Sequence, residues 1–166
     1  MAEEQAQQPV VLELRKLYLG NLSIEVPDAP EIFNTELNPQ INLGISHQIA
    51  TLKEEHFYGV RLRITVTAKN SDDKTIYLVE AEQGGVFEIR GLDDRYMHHA
   101  LNVYCTTTLY PYARETITSA ITRAGFPPIY LTAINFDAIY QQQLAQQQQQ
   151  QQEQQESSAP VEGSDN

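Results

Sequence analysis

Two long alternating stretches occupy the middle of this chain. In the first, Tyr58, Val60, Leu62, Ile64, Val66 and Ala68 alternate with Gly59, Arg61, Arg63, Thr65 and Thr67. A period of two puts the apolar set on one face of a strand and the charged set on the other. The second runs from Thr75 to Gln83 and continues through Gly84 and Gly85 to Ile89. There Tyr77, Val79 and Ala81 share one face, while Ile76 and Leu78 lie with Glu80 and Glu82 on the other. Large aliphatics beside carboxylates on a face expected to be wet mark a surface that meets a partner. The polar stretch from Asn70 to Lys74 is a turn, so the two stretches predict an antiparallel hairpin. Gly84 and Gly85 predict a bulge or bend rather than a phosphate cradle.

Upstream, a strand is predicted from Val10 to about Val26. Its alternation slips near Gly20, which predicts a bulge there. Pro27 and Pro30 end it, and Glu31 to Pro39 reads as a crossing loop carrying Phe33 and Leu37. Ile41, Leu43 and Ile45 begin a further strand that continues weakly to Ile49. After Gly91 the period becomes helical. Tyr96, Ala100, Val103 and Tyr104 fit one helix, with Asp93 or Asp94 at its start and Pro111 as an interruption. A second helix is predicted from about Pro111 to Ala124, with Ile117, Ala120, Ile121 and Ala124 at helical spacing. Gly125 is its cap, and Pro127 and Pro128 prevent continuation. A last helix starts near Asn135 or Phe136, with Phe136, Ile139, Tyr140, Gln143 and Leu144 as one stripe. Four strands followed by helices give an α+β class, a four-stranded antiparallel sheet with the helices packed on one face.

From Gln141 the composition collapses to glutamine with scattered Glu. Residues 145–166 read as a low-complexity tail, either disordered or a solvated continuation of the helix. Residues 1–9 read as a disordered arm. The chain is 166 residues long, which fits a single domain of typical size, about 100–150 residues, plus such ends. Its formal charge of −11 argues against nucleic-acid binding, which needs clustered Lys and Arg. Such a charge favours basic partners, or simply keeps soluble a protein that exposes apolar patches. Cys105 is the single cysteine, so no intrachain disulfide forms. The polar, acidic start lacks the pattern of a signal peptide, and no apolar run has the length of a membrane span, which points to the cytoplasm.

Catalytic chemistry finds no support in the motifs. His98 and His99 are adjacent and diverge on a helix, His47 and His56 have no second ligand at metal spacing, and Cys105 has no CxxC partner. Phosphate-binding glycine loops and nucleophile elbows are absent as well. No enzyme activity, cofactor or metal is expected.

Several blocks nevertheless agree in order and spacing with one family. They are RLRITVTA from Arg61 to Ala68, EQGGVF from Glu82 to Phe87, LYPYARETITS from Leu109 to Ser119, GFP at Gly125 and NFDA from Asn135 to Ala138. Together they resemble the bacterial export chaperone SecB over about residues 10–144. The resemblance implies a tetramer built as a dimer of dimers. It also implies an ATP-independent chaperone that holds unfolded secretory preproteins and passes them to the motor ATPase SecA. By the same resemblance Asn21, Glu25, Leu78 and Glu80 lie on a flat acidic surface that receives a basic, zinc-bearing segment of SecA. Phe33 and Leu37 with Ile139, Tyr140 and Leu144 are candidates for the client groove. Those last three equally fit a plain core stripe. Tyr77, Val79, Ala81 and Gln83 are assigned to the oligomer interface or the groove. Ile117, Ala120 and Ile121 join them, beside Thr116, Thr118, Ser119 and Thr122, as a partly polar helix interface or, alternatively, core. The chain departs from the family at Leu37, where a Trp is common, at Asn21, where an acid is common, and in its glutamine tail. An adaptor that uses the acidic face to dock one folded protein is the alternative function.

Overall fold

The computed structural model describes residues 9–157, and side chains as far as Glu153. Most of the expected N-terminal arm and the end of the tail lie outside the described residues. Two compact units divide the chain, one ending at Ile134 and the other beginning at Asn135.

The first unit is built on four antiparallel strands: β1 (Val11–Glu25), β2 (Gln40–Thr51), β3 (Phe57–Lys69) and β4 (Thr75–Arg90). Their order across the sheet is β1-β4-β3-β2, so the connection after β1 must travel from one edge of the sheet to the other. A single 3-10 turn, Glu31–Asn34, lies within that crossing. Val60, Leu62, Ile64, Val66 and Ala68 of β3 are fully buried, as alternation predicts for a central strand with one covered face.

β1 reaches the same arrangement by a less regular route. Its pairing with β4 shifts register between Leu14 and Lys16 and again between Leu19 and Asn21. The bulge at Gly20 is the one its sequence predicts, and Arg15 is a second. Each inserted residue flips the parity of the strand. As a result Leu12, Leu14, Leu17, Leu19, Leu22 and Ile24 all pair with residues of β4 on a single face.

β4, in contrast, passes through Gly84 and Gly85 with no register shift, so no bulge forms there. These glycines serve close approach instead. A methyl at Gly85 would sit 2.9 Å from Leu109 Cδ2 and 2.7 Å from Phe87 Cε2 on the helix side. One at Gly84, on the opposite face, would enter the ring of Tyr18.

After β4, Asp93 caps α1 (Asp94–His99) by accepting the Tyr96 N–H at 3.0 Å. A π-helical turn, Ala100–Tyr104, leads without a break into α2 (Cys105–Arg123). The interruption predicted at Pro111 does not occur. Pro111 and Thr107, whose carbonyl loses its helical donor, are both exposed, so water can satisfy that carbonyl. On the other side Cys105, Leu109, Ala113, Ile117 and Ile121 are wholly buried at four-residue spacing, packed on β4 and β3. Tertiary burial of that stripe outweighs one missing hydrogen bond. The helix ends at Gly125, whose φ of +96° only glycine adopts readily.

The second unit contains α3 (Phe136–Ser157), which starts at the Asn135 side chain accepting the Ala138 N–H at 3.0 Å. The helix therefore runs well into the glutamine tract, as a run of good helix formers allows.

Candidate binding surfaces

The sheet has one face under α2 and an opposite face. On the latter, strand register places side chains in rows. Glu25 of β1 lies opposite Leu78 of β4, which lies opposite Thr67 of β3. The next row holds Ser23, Glu80 and Thr65, and the next Asn21, Glu82 and Arg63. All four residues assigned to an acidic docking surface thus share one face within three adjacent rows. Leu78 is half-buried, and Glu25 and Asn21 are exposed.

Acidity on this face is partly neutralised. Arg63 Nη2 donates to Glu82 Oε2 at 2.9 Å, and its Nε lies 3.8 Å from Glu80 Oε1. Arg61 stands 3.6 Å from Glu82, and Thr65 Oγ1 donates to the far oxygen of Glu80 at 3.3 Å. The hydrogen bond to Glu82 and the charge of Glu80 raise the Arg63 pKa above its ordinary value. Glu82 is nearly buried, whereas the Glu80 side chain keeps 31 % of its surface. Glu80 is consequently the carboxylate of the pair that a partner can reach. Further along the same face, Glu88 lies between Arg15 Nε, at 2.7 Å, and Arg90. The Arg15 hydrogen bond holds the Glu88 carboxyl below its ordinary pKa.

Ile76 does not extend the apolar part of this face. It is 1 % exposed and lines a depression with Pro27, Ala29 and Ile32 of the crossing connection. The surplus of exposed aliphatics expected on β4 therefore reduces to Leu78.

The larger apolar surface lies on the helix side, at both sheet edges. Ile41 and Leu43 of β2 pair with Ala68 and Val66, whose faces carry the core, yet they stay 43 % and 39 % exposed. Leu19 and Leu22 of β1 are exposed in the same way at the opposite edge. The two edges differ in protection. β1 carries Glu13, Arg15, Lys16 and Glu25 and two bulges, the usual guards against strand pairing. β2 has no Lys, Arg, Asp, Glu or Pro and no register shift from Gln40 to Thr51. Its free edge can accept an extended chain by backbone hydrogen bonding, with side chains falling beside Ile41 and Leu43. The missing charges over 40–51 are visible in the sequence, but that β2 is an edge strand follows from topology.

Phe33 of the crossing connection is half exposed and rests on Phe126, with ring centroids 5.1 Å apart. Phe126 in turn lies 4.8 Å from the ring of Tyr77. Gly125 admits this stack, since a methyl there would come within 3.2 Å of Phe33. Leu37 is half-buried further along. Ile139, Tyr140 and Leu144 lie on α3 in the second unit, at spacing that gives them one side of that helix.

Tyr77, Val79, Ala81, Gln83, Ile117, Ala120 and Ile121 form no exposed surface. All are buried in the chain itself, and Gln83 is tied down by donating to the Tyr18 carbonyl at 2.7 Å. The hydroxyl stripe of α2 is half-buried at Thr116, Thr118 and Ser119 and exposed at Thr122. Thr116 and Thr122 bond back to the carbonyls four residues earlier, and Thr118 reaches both Arg114 and Ile129. With Pro128 and Tyr130, Thr118 and Thr122 line a groove of about 580 Å³. Cys105 is buried, and that burial pushes its thiol pKa up to about 12. Among the described residues no helix is long and apolar enough to cross a membrane, and no three metal-ligating side chains gather.

Residues 4–147 match the family described as preprotein translocase subunit SecB. A protein-export protein SecB of Dichelobacter nodosus is 66 % identical over 145 residues, covering 87 % of this chain and 92 % of the relative. One of Alkalilimnicola ehrlichii is 46 % identical over 145 residues, covering 87 % and 76 %. A SecB-like chaperone of Mycobacterium tuberculosis, solved with a ChAD peptide from an antitoxin, matches with a TM-score of 0.61. That match covers 75 % of this chain and 91 % of the other at 17 % identity, a likeness of fold.

Proposed function

The chain belongs to the SecB family, and we propose that it is an export chaperone that holds unfolded preproteins and hands them to SecA. The observation that carries this reading is the separation of two unlike surfaces on one sheet. An uncharged edge with exposed Ile41 and Leu43 lies on the helix side, and Glu25, Leu78 and Glu80 lie on the opposite face. The first suits any extended apolar segment, because backbone pairing and loose apolar contact carry no sequence code. The second suits a basic docking segment, for which charge sets approach and register. A client and a motor can then bind at once.

Phe33, Leu37, Ile139, Tyr140 and Leu144 serve the client in this reading, and Asn21 at the rim weakens the motor contact by one charge. Self-association into a tetramer uses the hydroxyl and methyl groups of α2, while Tyr77, Val79, Ala81, Gln83, Ile117, Ala120 and Ile121 act on assembly through the core that shapes it. The protein works in the cytoplasm without a cofactor.

Two measurements on the full chain test this. It should suppress aggregation of several unrelated unfolded precursors and ignore the same proteins once folded. Glu80→Lys should abolish binding of purified SecA in a titration while leaving client binding and sedimentation unchanged. A protein that ignores unfolded precursors is the single-partner adaptor, and undiminished SecA binding by Glu80→Lys removes this face as the docking site.

A further inference from the structure

The docking face contains its own counter-ion. Arg63 touches both carboxylates at its centre, at 2.9 Å from Glu82 and 3.8 Å from Glu80. No other Lys or Arg is seen within 4.0 Å of Glu80 among the described residues. Across the sheet, Arg63 faces Ser46 on β2 and Glu82 on β4, so its carboxylate partners lie only on the β4 side. Gly44, beside Thr65, places no side chain in the neighbouring row. The side chain of Arg63 retains 46 % of its surface and is free to turn toward solvent.

We infer that Arg63 sets the specificity of this face by competing, within the chain, with the basic partner for Glu80. The inference rests on the reading of this face as the SecA docking site. A single partner cation gains little, since it replaces an arginine already close to the carboxylate. A segment with several cations can displace Arg63 from Glu80 and still engage Glu25, while Arg63 keeps its tighter bond to Glu82. The face thereby discriminates against isolated positive charges, by placing a like charge where they would bind.

The roles of competitor and scaffold differ in sign. If Arg63 competes, its removal strengthens the partner's binding; if Arg63 holds Glu80 in a binding geometry, its removal weakens it. Titration of purified SecA into the wild type, Arg63→Gln, Arg63→Lys, Arg61→Gln and Glu80→Lys separates the two, with circular dichroism confirming the fold of each. For Arg63→Gln we expect affinity about two- to fivefold tighter at low salt, the range of one exposed ion pair. The gain should shrink as salt rises. Arg63→Lys should retain most of the competition, and Arg61→Gln, which touches only Glu82, should change affinity less. Unchanged or weaker binding by a folded Arg63→Gln protein overturns the inference while Glu80→Lys still abolishes binding. If Glu80→Lys binds normally, the docking reading itself has failed. Should Arg63→Gln fail to fold, Arg63→Met, which also removes the charge, takes its place, and unchanged or weaker binding of SecA by that protein overturns the role given to Arg63.

Discussion

Replacement of Gly84 by alanine separates two explanations of the paired glycines in β4. If Gly84 were needed for its backbone, alanine would cost stability in any background. Its φ is not among the positive values, however, and β4 stays in register on both sides. Alanine is otherwise the better residue in an ordered strand, by roughly 0.5–1 kcal/mol. What stands in its way is Tyr18, whose ring lies over Gly84 so closely that the new methyl would be 2.6 Å from the hydroxyl oxygen and nearer still to ring carbons. Expelling that ring is an overpacking event, which costs about 1–3 kcal/mol. Gly84→Ala should therefore destabilise the wild type by about 1 kcal/mol, and by no more than about 2.5 kcal/mol, after the backbone gain is subtracted. In a Tyr18→Ala background the same change should stabilise by up to about 1 kcal/mol. The four proteins form a double-mutant cycle, read from urea denaturation midpoints at one fixed protein concentration. A loss of the same size in both backgrounds would refute the close-approach argument and restore a backbone role.

Two further outcomes follow from the same geometry. Glu88 has a lowered carboxyl pKa because of Arg15, so its ion pairs stabilise the fold above the ordinary carboxylate value of 4.5 and are lost as pH falls through the lowered value. Glu88→Gln should lower the denaturation midpoint at neutral pH and flatten the acid limb of midpoint against pH; an unchanged acid limb would show that Glu88 titrates alike folded and unfolded. Pro111→Ala restores a helical hydrogen bond on the exposed side of α2 and should raise thermal stability by about 1 kcal/mol or more. A lower melting temperature would mean that the helix axis at Pro111 is shaped to its packing.

Strand number, the hairpin of β3 and β4, the bulge at Gly20 and the cap at Asp93 were legible because each depends on near neighbours in sequence. Alternation decides which side of a strand is apolar before any partner is known. The family blocks were legible too, and they supplied candidate docking and client residues, most of which periodicity does not single out. Where sequence misled, the deciding contact was remote. Ile76 belongs by parity to the wet face, but the crossing connection buries it. Pro111 breaks an isolated helix, but a buried stripe from Cys105 to Ile121 holds this one together. The glycine pair signalled a bulge or bend; no bulge forms, and Tyr18 and Leu109, distant along the chain, require the empty space. Strand order, likewise, has no local signature. It alone makes the uncharged β2 an edge, and register alone brings Arg63 to Glu80 and Glu82. Local pattern sets the conformation and facing of each segment; long-range pairing and packing, which bring together residues tens of positions apart, decide which faces are left for a partner.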